Sequence, residues 1–196
     1  GKYVDVLDMI FAGEEWEELA AIAFIHDPDL DYHGLYSPRY QTDLPVMFLN
    51  LSGDYSELET AGLLETLVHE FAHHFYFFHT YKEVRDDGKV VYHPCMKVPS
   101  PKNCEGFEGP TADYLRDFWW DHSHGFKFQM NDAVKDYLGY YRLIDDSGAF
   151  VSSYSATNAA EDFAETFTAA VFEDYSTFNR DGKVVSEKLK FFQREG

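Results

Sequence analysis

The stretch "TLVHEFAHHF", Thr66–Phe75, sets three histidines and a glutamate in an otherwise apolar run. Burying imidazoles beside a carboxylate is costly unless something binds them. The surrounding pattern, from Glu57 to about Lys82, reads as one helix closed by "RDDGK". On a helix, residues four apart share a face. His69 and His73 therefore point together, whereas His74, one residue further, faces elsewhere and is read with His79 as a bystander. Two neutral imidazoles converging this way form half of a tetrahedral zinc site. Glu70, between them, is placed to reach a water at the metal rather than the metal itself. The bland alternative, a chance set of core and surface histidines, does not explain why the pattern falls on a helix preceded by the strand-like "VMFLNLSG" ending at Gly53.

A hydrolytic zinc site needs a third protein ligand and an open fourth position. The residues after His73, "HFYFFHTYKE", supply no third histidine at a spacing known for such extensions. The last strong helical segment, Ala159 to Glu173, contains "NAAEDFAETF", in which Glu161 and Glu165 lie four apart on one face. Glu161 has a structural explanation, a capping box with Asn158 as N-cap. That explanation leaves Glu165 in mid-helix beside Phe163, Ala164 and Phe167. A metal site uses both carboxylates, one as ligand and one as acceptor orienting a histidine ring.

"HEFAH" followed by a helix with Glu-x-x-x-Glu resembles the gluzincin clan of zinc peptidases. The stretch "SYSATNAAEDFAETF", Ser153–Phe167, is more specific. It resembles the protease domain of anthrax toxin lethal factor and the secreted Pro-Pro endopeptidases, with Tyr154, Glu161 seven positions on and Glu165 four further. The resemblance implies that Glu161 is the third zinc ligand and Glu165 its companion in the surrounding shell. It also implies that Tyr154 is a phenol that hydrogen-bonds the oxyanion. Without it, Tyr154 in so tyrosine-rich a chain would read as an aromatic packed under a loop. The motifs cover about 25 residues, and 87 residues separate His73 from Glu161, so the excursion between them is expected to reshape the cleft and its specificity.

Outside the motifs, bulk composition narrows the choices. A formal charge of −19 disfavours nucleic acid as partner, since that affinity depends on Lys and Arg neutralising phosphates. No apolar run reaches the roughly 18 residues of a membrane span, and no charged-then-apolar leader opens the sequence, so a mature or excised form is expected. Cys95 and Cys104, in "HPCMKVPSPKNCEG", are read as a disulfide of an extracellular protein. The rival, a small metal site with His93, lacks the tight pair spacing of zinc motifs. Asp27, Asp29 and Asp31 alternate like the opening of a calcium loop, but Tyr32 stands where the glycine belongs, so an acidic turn is expected. His122 and His124 beside Asp121 are read as a surface or cleft-lining group. No serine-hydrolase elbow, Walker loop or dinucleotide fingerprint occurs.

Together these readings predict a single α+β zincin-like metallopeptidase domain over 1–196, with a loop and helix excursion at about 83–150. Strands are expected at Tyr3–Ala12, Ala21–Ile25 and Val46–Leu51, a helix at Glu14–Ala20, and a turn-rich segment between His26 and Pro45. Further helices are expected at Tyr114–Trp120, Asn131–Leu143 and in "SEKLKFFQRE". The repeated "DGKVV", at Asp87 and Asp181, reads as two turn-plus-strand starts. Strand Val46–Leu51 is expected to offer an edge for an extended substrate. The expected activity is zinc-dependent peptide-bond hydrolysis with one Zn2+ per chain, Glu70 as general base and acid, and Tyr154 on the oxyanion. The partner is a protein or peptide substrate, and the location extracellular. The rival class is a non-catalytic zinc-containing binding or adhesion module on the same scaffold, and a hydrolase of non-peptide amides is a third reading.

Overall fold

The computed structural model describes residues 19–30, 33–37, 45–52, 57–78, 82–84, 90–96, 102–120, 148–172, 178 and 181–193. The expected elements at Tyr3–Ala12, Glu14–Ala20 and Asn131–Leu143, and the residues Asp31, His79, Asp121, His122 and His124, lie outside them, save for Leu19 and Ala20. The chain is mixed α+β and divides into two compact units, 1–78 and 79–196.

In the first unit, strands β1 (Ala21–Ile25), β2 (Gly34–Ser37) and β3 (Val46–Asn50) form a sheet in the order β1-β3-β2. β1 runs parallel to β3 and β2 antiparallel to it, with Phe24 and Gly34 both level with Leu49. β3 is thus the middle strand, with a neighbour on each side. The expectation that it offers a free edge is therefore incorrect; the outer strands of the described sheet are β1 and β2. β2 itself lies in the segment read as turn-rich. It is only four residues long, and "GLYS" between turn-forming neighbours is too short to show an alternation. The turn before it behaves as an acidic turn: Asp27 Oδ1 accepts the Asp29 amide at 3.0 Å, and Asn50 brackets Asp27 from both its amide and its carbonyl side.

Helix α1 (Glu57–Phe78) packs on β2 and β3. Its buried face runs through Leu63, Leu67, Phe71 and His74, at the three- and four-residue spacing of an amphipathic helix. α1 is described to Phe78, and Lys82, expected to close it, instead opens strand β4.

In the second unit, β4 (Lys82–Val84) and β5 (Val90–Tyr92) form an antiparallel hairpin, followed by a 3-10 turn at Pro94–Met96. Cys95 and Cys104 are joined in a disulfide, and both are buried. Helix α2 (Pro110–Leu115) begins four residues before the expected start. Pro110 sits at its first position, where the missing N–H costs nothing, and Gly109 adopts φ 103° before it. A π-helical turn, Arg116–Trp120, continues it. Helices α3 (Ala159–Val171) and α4 (Lys183–Gln193) pack on each other. The second "DGKVV" therefore opens a helix, not a strand. Val185 and Leu189, four apart, are both buried, and that helical spacing outweighs the β preference of two adjacent valines. The chain at Gly148, with φ 54°, passes so close to Gly182 that a Cβ on either would collide with the other's backbone.

Aromatic rings fill this unit. Phe163 meets Tyr114 at 5.0 Å and Phe192 at 4.9 Å between centroids, both edge to face. Beneath them lies a polar hub. Asp162, 0% exposed, accepts through Oδ2 from Tyr114 Oη at 2.8 Å, Trp119 Nε1 at 2.8 Å and Lys188 Nζ at 2.6 Å. Lys188 also donates to the Ala149 carbonyl at 2.7 Å and stands 4.5 Å from the centre of the Phe150 ring. Burial pushes the Lys188 ammonium below its ordinary pKa, and Asp162 opposes that shift. No helix among the described residues is long and apolar enough to cross a membrane.

Candidate metal centre

Helical phase delivers His69 and His73 to one face of α1. Both are buried, and their Nε2 atoms face one another at 3.1 Å with the rings nearly perpendicular. Neutral imidazole nitrogens this close either share one proton or direct two lone pairs at a common cation. Two nitrogens on a tetrahedral zinc, each at about 2.0–2.1 Å, stand ~3.3 Å apart. The pair therefore fits the edge of such a site with little movement. His74 turns away as the phase requires. It is buried, its Nδ1 is 3.1 Å from Tyr36 Oη, and Phe71 and Tyr36 pack on its ring.

Glu70 is buried next to the pair, and its position depends on a glycine. A Cβ added to Gly34 on β2 would fall 2.6 Å from Glu70 Cγ, Glu70 Oε1 and the Thr66 methyl. The carboxylate stem thus occupies the space a side chain at position 34 would need. Sequence reasoning missed Gly34, whose only visible signal was a glycine in "DYHGLYS".

In the second unit, Asn158 is the N-cap of α3, accepting from the amides of Ala160 at 2.9 Å and Glu161 at 3.0 Å. Glu161 is partly exposed in the first helical turn, and Glu165 is partly exposed one turn on. Glu165 Oε2 accepts the Ser152 hydroxyl at 2.6 Å. Tyr154 lies two residues beyond Ser152 and is 53% exposed, so it is not an aromatic packed under a loop. His69, His73 and Glu161 are each of a side-chain type that ligates zinc. The histidines belong to the first unit and Glu161 to the second. Cys95 and Cys104, being bonded to each other, are not thiolate ligands, and His93 instead stacks on Phe107 at 4.8 Å.

Comparison with protein-family models, with curated proteins and with solved structures found no match for this chain.

Proposed function

We propose that this chain is a zinc-dependent endopeptidase of the gluzincin type on a zincin-like fold, with His69, His73 and Glu161 as the zinc ligands. The observation that carries the reading is the buried His69–His73 pair with Nε2 atoms 3.1 Å apart, adjoining a glutamate seated against Gly34. A purely structural metal site has no use for that glutamate. Zinc, when bound, supplies Lewis-acid activation of a water and of the scissile carbonyl. Glu70 accepts the proton of the attacking water and returns it to the leaving amine, so the same carboxylate serves as base and then acid. Tyr154, exposed on its turn, donates its phenolic hydrogen to the oxygen on which charge develops. Glu165 supports a ligand through hydrogen bonding. An extended substrate pairs with an outer strand, for which β2 is the candidate because its Gly34 lies against Glu70. The Cys95–Cys104 disulfide supports an extracellular setting.

The test joins metal content to turnover. Elemental analysis should give one zinc per chain, and peptide libraries should show chelator-sensitive cleavage. Glu70→Gln should retain zinc while hydrolysis falls by at least about 10²-fold. Glu161→Ala should lose zinc, whereas Glu165→Ala should keep it with affinity weakened by roughly 10- to 100-fold. The reverse order for the two glutamates would make Glu165 the ligand and Glu161 a capping residue. Bound zinc with no cleavage by the native protein would favour a non-catalytic binding module.

A further inference from the structure

We propose that Ser152 is a positioning residue that ties the turn carrying Tyr154 to the Glu165 carboxylate; its catalytic consequence rests on the reading of Tyr154 above. The Ser152 hydroxyl has one hydrogen and can accept through its lone pairs. The Ser155 amide, 3.0 Å away, can only donate, so it takes a lone pair of Ser152 Oγ. The hydroxyl hydrogen is thereby directed to Glu165 Oε2 at 2.6 Å, within the range of a hydrogen bond to a charged acceptor.

An ordinary serine turn closes on its own backbone, and part of this one does so. Ser155 Oγ donates to the Ser152 carbonyl at 2.8 Å and accepts the Ser152 amide at 3.2 Å. The Tyr154 carbonyl in turn accepts from the Thr157 amide at 3.0 Å and the Thr157 hydroxyl at 2.7 Å. The backbone at Tyr154 is therefore held on both sides, by 152–155 and by 154–157. What a self-contained turn does not need is the bond to Glu165, a side chain on the second turn of α3. Through it, the backbone that aims the phenol is referenced to the helix that carries Glu161. The Tyr154 ring is 53% exposed, and the backbone of this turn sets where the ring starts from and which way its Cα–Cβ bond points.

Two measurements on the full chain decide the matter. The first needs no activity: amide hydrogen exchange at Ser155 in the native protein, Ser152→Ala and Glu165→Ala, each stripped of metal. Ser152→Ala should speed exchange by about tenfold or more through loss of the acceptor. Glu165→Ala should also speed it, although the carboxylate does not touch that amide; an unchanged rate there overturns the link, whatever Ser152→Ala does to folding. The second is kinetic, on any peptide the native protein cleaves. Ser152→Ala should lower kcat about tenfold with KM held within about twofold and zinc retained, and Ser152→Thr should restore it. In a Tyr154→Phe background the same change should cost less than about twofold, because the two act as a unit. Full additivity of the two substitutions overturns the positioning role. If no peptide is cleaved by the native protein, the endopeptidase reading fails, and the exchange experiment still decides the Ser152 link.

Discussion

Glu70 shows how much one residue's chemistry depends on a neighbour that carries none. Its carboxylate stem fills the space above Gly34, and a methyl group there would meet three atoms at 2.6 Å. Overpacking of a buried contact costs about 1–3 kcal/mol. Gly34→Ala should therefore lower stability by that order in urea unfolding, retain zinc, and lose hydrolysis through displacement of Glu70. Stability, metal content and turnover all at the native level would show that Glu70 does not need the space. The histidines and glutamate of α1 were legible in the sequence because a four-residue spacing is a property of the helix itself. Gly34 was not, because its role exists only when β2 lies under α1. Ser152 was hidden for a similar reason, in a run of small polar residues that reads as an irregular approach to a helix.

At the scale of elements, α3 is held by opposite devices at its two faces. Its start is set locally, by Asn158 accepting two amides of the first turn. Its inner face is set by Asp162, which binds donors from α2, the π-helical turn and α4. Asp162, in the first turn of α3, and Lys188, in α4, are of residue types that are mostly exposed in folded proteins. Both are instead buried, Lys188 at 2% exposure. Removing one member of such a pair strands the other, at about 3–5 kcal/mol. Lys188→Met should therefore be strongly destabilising in chemical denaturation, and Lys188→Met combined with Asp162→Asn should recover a good part of the loss. A single variant as stable as the native chain would show that the pair holds nothing together. The helix expected over Ala159–Glu173 is observed as Ala159–Val171. The strand expected from the second "DGKVV" failed because two valines fit a strand or a helix, and the buried Val185–Leu189 contact chose the helix.

For the whole molecule, the proposed ligands come from both compact units, His69 and His73 from the first and Glu161 from the second. A metal held by all three binds the native chain and not the unfolded one, so its free energy adds to folding. At free zinc about 100 times Kd, that stabilisation is about 2.7 kcal/mol. Chelation should lower Tm in calorimetry, and Glu161→Ala should have the lower Tm at the outset and respond little to chelator. Equal chelator shifts in the two proteins would remove Glu161 from the ligand set. The charge of −19 bears on partners at this scale, because it repels phosphate backbones whatever the fold.

What the sequence determined by itself are the features whose physics is local. Helical phase put His69 with His73 and turned His74 away, a short apolar run made β3, and Asn158 started α3. The pairing of Cys95 with Cys104 was legible too, as two cysteines in one loop. What only the tertiary structure decided are the features that need a second element. β3 became a middle strand because β2 formed in a segment with no readable alternation. Gly34 became necessary because Glu70 lies over it, Lys188 was drawn inside by Asp162, and Ser152 gained a role from a carboxylate thirteen residues away. Spacing along one helix is written in the chain, whereas contact between two elements exists only once both are packed.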